Sequence, residues 1–166
     1  MNRWIKVTLV FLLMAACPFF AFAQSPSEDE KAVSATLDAL HENASKADGE
    51  KYFTLFAPDA VFLGTDASER WPIAEFKEYA MARFEKGTGW TYHKTSRYIY
   101  LSENEKTAWF DEMLHNENYG ECRGSGALVK IGGDWKIAQY NLTIPIPNAL
   151  ARKVVAMIRE QEGEKR

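Results

Sequence analysis

Asp111 and Glu112 stand side by side in the run 106–114, where tryptophan and phenylalanine surround them. A carboxyl group in an apolar wall is a candidate general acid or base, because burial raises its pKa toward neutrality. Neighbours on a strand point to opposite faces, so only one of the two can face a cavity. Thr107, Trp109, Asp111 and Met113 alternate with Ala108, Phe110, Glu112 and Leu114, and both rows are partly apolar. Spacing alone leaves the choice open. Arg123 begins the otherwise apolar row Ser125, Ala127, Val129 and Ile131, and an arginine there needs an anion, either Asp111 on the neighbouring strand or a ligand. His93, between Thr91 and Thr95, is a candidate general base near neutral pH and equally a half-exposed strand residue. His115 reads as a hairpin residue and His41 as part of a polar helix face. The three histidines lack the short spacings of zinc sites, so no metal or cofactor is expected. Tyr52, Trp71, Trp90, Tyr98 and Tyr140 are the aromatic candidates for the wall of a concave site, and residues of the same type also build cores and interfaces.

Elements of two periods must position these residues. Ser27 and Glu30 have capping-box spacing, and Val33, Leu37, Leu40 and Ala44 then recur as one apolar stripe of a helix that Asp48-Gly49 ends. A short aromatic helix through Tyr52, Phe53 and Phe56 is halted by Pro58, before a first strand at 60–63. Pro72 suits the first turn of a third helix with Ile73, Phe76, Ala80 and Phe84 on its apolar face, closed by Gly87. From Trp90 the period becomes two, giving strands at 91–101, 106–114, 122–131 and 135–144 joined by short hairpin turns. Pro145 and Pro147 stop the last strand, and Asn148 then caps a final helix with the stripe Leu150, Val154 and Ile158. Helices followed by hairpin-linked strands give an α+β architecture, with helices on one face of a curved antiparallel sheet.

The chain has 166 residues, 46% hydrophobic and 26% charged, which suits one folded domain. Residues 1–23 read as a secretory signal peptide: Arg3 and Lys6 precede an apolar run, and Ala21-Phe22-Ala23 is a small-x-small cleavage pattern. The apolar run is about half the roughly 20 residues that a spanning helix needs, and Pro18 interrupts it. The alternative is lipidation at Cys17. Cleavage before Gln24 leaves 18 basic against 23 acidic residues, a balance of −5 that argues against nucleic acid. It also leaves Cys122 as the one cysteine, so no intramolecular disulfide forms. Residues 24–30 then form a tether, 31–147 the domain, and 148–166 a C-terminal helix with a charged tail. The expected location is periplasmic or secreted, with no membrane contact after cleavage.

The element order, with Ala60-Val61-Phe62-Leu63-Gly64-Thr65-Asp66, Ala108-Trp109-Phe110-Asp111-Glu112 and Gly133-Asp134-Trp135-Lys136-Ile137 ahead of the paired prolines, resembles the SnoaL-like branch of the nuclear transport factor 2-like superfamily. The resemblance implies a cone-shaped, cystatin-like half-barrel with helices over its concave face and a pocket at its wide end. It also implies that the Trp109–Asp111 face is the inner one. Members of the superfamily include cyclases, a steroid isomerase, dehydratases and ligand carriers, so membership predicts a pocket and no single reaction. A steroid isomerase needs a base and acidic donors converging in one cavity, and only Asp111 with Tyr52 can be nominated here. The expectation is a homodimeric exported protein that binds a small, partly apolar organic molecule. An isomerase, cyclase or lyase using Asp111, with Tyr52 or His93 assisting, is one alternative, and a dimeric interaction module without ligand is another.

Overall fold

The computed structural model describes residues 25–164. Helix α1 (Glu28–Ser45) starts at the expected capping box, the Ser27 side chain accepting from the Glu30 N–H at 3.1 Å. Val33, Leu37, Leu40 and Ala44 are all buried, so one stripe faces the core. The start of α1 is held to the sheet by Asp29, which accepts from Lys130 Nζ at 2.6 Å and from Trp135 Nε1 at 3.0 Å. Asp48 begins the short α2 (Gly49–Thr54) rather than ending α1, accepting from the Lys51 N–H.

Strand β1 (Phe56–Leu63) starts earlier than the sequence pattern indicated and runs through Pro58. It can do so because its ladder to β6 is interrupted between Phe56 and Val61, where a missing N–H costs no pairing. A three-residue strand β2 (Arg70–Pro72), absent from the sequence pattern, lies on the sheet edge, where its closing proline is tolerated. Helix α3 (Ile73–Phe84) buries Phe76, Ala80 and Phe84, and Gly87 follows it at a φ of 69°. Strands β3 (His93–Leu101), β4 (Thr107–Asn116), β5 (Gly120–Ile131) and β6 (Asp134–Thr143) form the hairpin series. The curved, unclosed sheet has the order β2-β1-β6-β5-β4-β3, antiparallel except for β1 with β6.

Helices α1 and α3 pack on the sheet's inner face, α1 against β3 and β6 and α3 against β1 and β2. Ile137 and Tyr140 are both buried although they lie three apart on β6. A bulge at Ala138 makes this possible by resetting the alternation. Helix α4 (Ala151–Glu164) has Met157 and Ile158 about half exposed, as is Leu150 just before it. No described helix is long and apolar enough to cross a membrane.

Candidate functional site

On β4 the buried residues are Ala108, Phe110, Glu112, Leu114 and Asn116. The expected inner face is therefore reversed: Asp111 is exposed, and Trp109 is 48% exposed and stacked on Tyr100. Arg123 is also on the outside. It pairs in register with Met113 rather than Asp111, so the expected partnership becomes a diagonal between two solvated side chains. The carboxylate that enters the half-barrel is Glu112, with no exposed surface.

Four elements converge on it. Its Oε1 lies 2.8 Å from His41 Nε2 on α1 and accepts from Tyr140 Oη on β6, also at 2.8 Å. Its Oε2 accepts from Arg97 Nε on β3 at 2.8 Å. Arg97 Nη2 approaches that same oxygen to 2.7 Å as an ion-pair contact without hydrogen-bond alignment. Arg97 Nη1 donates to the Ser34 carbonyl and hydroxyl and to Asp38 Oδ1, which Lys94 Nζ reaches from outside at 2.8 Å. A line of alternating charge thus runs from the surface to the core. Gly124, on β5 opposite Glu112, leaves the space: a Cβ there would lie 2.3 Å from Tyr140 Oη and 2.8 Å from Glu112 Oε1.

Burial pushes the Glu112 carboxyl up, but the His41 hydrogen bond, Arg97 and Tyr140 outweigh it and hold the group below its ordinary range. Burial and the adjacent negative charge push Tyr140 well above the usual phenol value. Tyr140 therefore keeps its proton and Glu112 stays an acceptor. An ionised carboxylate can only accept, so His41 Nε2 carries the hydrogen, and a neutral imidazole has its lone pair on Nδ1. This corrects the expectation that His41 is a surface residue.

His41 and Tyr140 also line a chamber of about 20 Å³, the size of one water, together with Leu40, Ala44, Tyr52, Phe62, Trp90, Tyr92 and Leu142. Next to it lies a larger cavity of about 190 Å³. The two share Phe62, Trp90, Tyr92 and Leu142, and the outer one adds Thr65, Glu69, Phe76, Tyr79, Arg83 and Tyr119. Burial pushes the Tyr92 phenol up to about 12, so its hydroxyl stays protonated and available as a donor.

Of the sequence candidates, Tyr52, Trp90 and Tyr140 come together at the inner chamber, and of these Trp90 alone also borders the outer cavity. Trp71 instead stacks on Tyr79 at 5.3 Å, and Tyr98 is 60% exposed. His93 is exposed at the end of β3, paired in register with His115. His41, Arg97, Tyr92, Glu69 and Arg83 were not nominated. A partial signal existed in α1, where Ser34, Asp38 and His41 follow at i, i+4 and i+7 on one face, all three bonded to the sheet's charged side chains. No cluster of potential metal ligands occurs among the described residues.

The SnoaL-like domain family matches residues 33–147. A search of curated proteins by sequence gave no match. Among solved structures, the chain is similar to a candidate aromatic ring hydroxylase from Novosphingobium aromaticivorans, at 19% identity and a TM-score of 0.61, over 75% of this chain and 94% of that one. It is also similar to a protein with a cystatin-like fold from Nostoc punctiforme, at 16% identity and a TM-score of 0.56, over 74% of this chain and 96% of that one. A nuclear transport factor 2-like protein from Pseudomonas putida aligns at 10% identity and a TM-score of 0.58, over 71% and 87%. At these identities the likeness establishes the shared fold.

Proposed function

Starting from the chain's membership of the SnoaL-like domain family, shown by the match over residues 33–147, we propose that it is an exported protein that binds a small, partly apolar organic molecule in the half-barrel cavity. The observation that carries this reading is the paired chamber itself. Aromatic walls shared by two adjoining voids end at a polar floor, His41 and Tyr140, fixed by a buried carboxylate. A structural core would fill such a space with side chains, whereas a binding site needs an apolar body and a few oriented polar groups. Export rests on the basic, apolar and small-x-small order of residues 1–23.

Trp90 borders both voids and serves as the reporter. Small aromatic compounds should change its emission saturably, and Trp90→Phe should remove the change. Leu142→Trp, which fills the junction of the two voids, should abolish binding while the protein stays folded. Undiminished binding in Leu142→Trp would place the ligand elsewhere.

A second reading, an enzyme of the isomerase, cyclase or lyase type, is favoured by one observation. Glu112 orients His41 in a fixed tautomer at the chamber wall, the arrangement a general base requires. The pocket carboxylate in that reading is Glu112, acting through His41. Deuterium exchange at the carbon beside the carbonyl of a bound ketone, lost in His41→Gln with binding retained, is its test.

A further inference from the structure

We propose that the ligand is a small aromatic carboxylate, its ring against Phe62 and Trp90 and its carboxylate on Arg83. The proposal rests on the binding reading above and names the ligand's class. Size is the first argument. The outer cavity is about 190 Å³, below the roughly 300–1,000 Å³ of sites for larger organic molecules and near the ~150 Å³ that accepts benzene. One ring with one substituent fits that space. Shape is the second. Phe62 lies flat on Phe76, with centroids 4.0 Å apart and planes 6° apart, and continues at 5.7 Å and 8° to Tyr140. Stacking engages the Phe62 face, so a ligand ring meets its edge with the Trp90 ring beside it, and an aromatic ring suits such edge-to-face contact.

Charge is the third argument, and it sets the sign. Two opposite charges border the cavity, Glu69 and Arg83, and they do not pair with each other. Glu69 Oε2 already accepts from the Asp66 N–H at 3.1 Å. The Arg83 guanidinium, in the last turn of α3, has no hydrogen bond or ion pair among the described residues. Glu69 thus has a donor whereas Arg83 has no acceptor, so the unsatisfied polar group at the cavity is the cation. A guanidinium presents a planar fork that fits a carboxylate with two parallel hydrogen bonds. The Tyr92 and Tyr119 hydroxyls on the same wall offer further donors. Glu69 repels an anion from its own side, so the ligand enters with its charge toward α3.

Three probes of one size separate the possibilities: benzoate, benzyl alcohol and benzylammonium, titrated calorimetrically into the purified protein with Trp90 emission as the local readout. Benzoate should bind about tenfold more tightly than benzyl alcohol, the scale of one charge-assisted contact at a partly exposed rim. Arg83→Gln should erase that preference, Arg83→Lys should keep part of it, and Glu69→Gln should strengthen benzoate. Unchanged melting temperatures would show that the variants remain folded. If benzylammonium binds most tightly and Glu69→Gln removes it, or if Arg83→Gln leaves the benzoate preference intact, the carboxylate class is overturned while the cavity remains a binding site. If none of the three probes gives saturable, Trp90-dependent binding, the cavity reading falls and the proposal falls with it.

Discussion

Replacing Glu112 by Gln keeps the side chain's shape and removes its charge, and the structure sets the cost. Arg97 is 4% exposed and Glu112 is fully buried, so the variant leaves a desolvated guanidinium facing a neutral amide. Loss of one partner from a buried pair costs about 3–5 kcal/mol, far more than the ~0–1 kcal/mol of an exposed pair. Arg97 keeps Asp38 at 2.8 Å, but that carboxylate is half exposed and shared with Lys94, so the expected loss is at the low end, about 3 kcal/mol. For a domain of this size, that lowers the melting temperature by roughly 10 °C. Replacing both, Glu112→Gln with Arg97→Met, should recover much of the loss, because neither charge is then left alone. Acid denaturation adds an independent readout. The folded Glu112 carboxyl titrates below its ordinary value of 4.5, so its stabilising contribution is complete above that value and is lost as pH falls through the lower folded value. Glu112→Gln should flatten that acid slope. Urea unfolding of the singles and the double decides the matter: strictly additive losses, or a Glu112→Gln loss under about 1 kcal/mol, would refute a coupled buried pair.

Gly124→Ala should destabilise the protein by about 1–3 kcal/mol, since its Cβ would displace the Tyr140 hydroxyl from Glu112; chemical denaturation measures it. Asp111→Ala, on the solvated outer face, should change stability by less than about 0.5 kcal/mol in the same assay, and a larger loss would place Asp111 in a buried contact. The outer face carries Tyr98, Tyr100 and Trp109, each 47–60% exposed, and a symmetric second copy would cover them; sedimentation should show a dimer that Trp109→Glu dissociates. N-terminal sequencing of exported protein should begin at Gln24, and a lipidated Cys17 would replace the free mature chain with a tethered one.

Local signals carried most of the fold. The capping box of α1, the stripes of α1 and α3, and the period-two runs of β3 to β6 each appear where their residues call for them. The misses in β1 and β2 both fall at prolines: the sequence pattern makes Pro58 a breaker and Pro72 the first turn of a helix, yet both are permitted in strands where the ladder is interrupted or ends. The bulge at Ala138 was not legible either, because it exists to keep two inner residues, Ile137 and Tyr140, against the helices.

The reversed face of β4 shows what the period of a strand cannot decide and what the register can. Both rows of β4 are partly apolar, so alternation alone assigns neither one inward. Counting outward from the turn at Asn104–Glu105 pairs Leu101 with Ala108, Ile99 with Phe110 and Arg97 with Glu112 on one face. On the other face the same count pairs Tyr100 with Trp109 and Tyr98 with Asp111. The first face holds a matched charge pair among small and apolar residues, so it can be buried without stranding a charge. The second would bury Asp111 with a tyrosine opposite and no cation in register. Helix α1 completes the distinction, because its Ser34, Asp38 and His41 row supplies partners to both Arg97 and Glu112 and can do so only on the face it covers. The polar face of α1 that reads as solvated in isolation is therefore the complement of the one inward-facing carboxylate of β4. Pairing two charged rows across hairpin and helix, rather than scoring each element alone, assigns the inner face and with it the floor of the cavity.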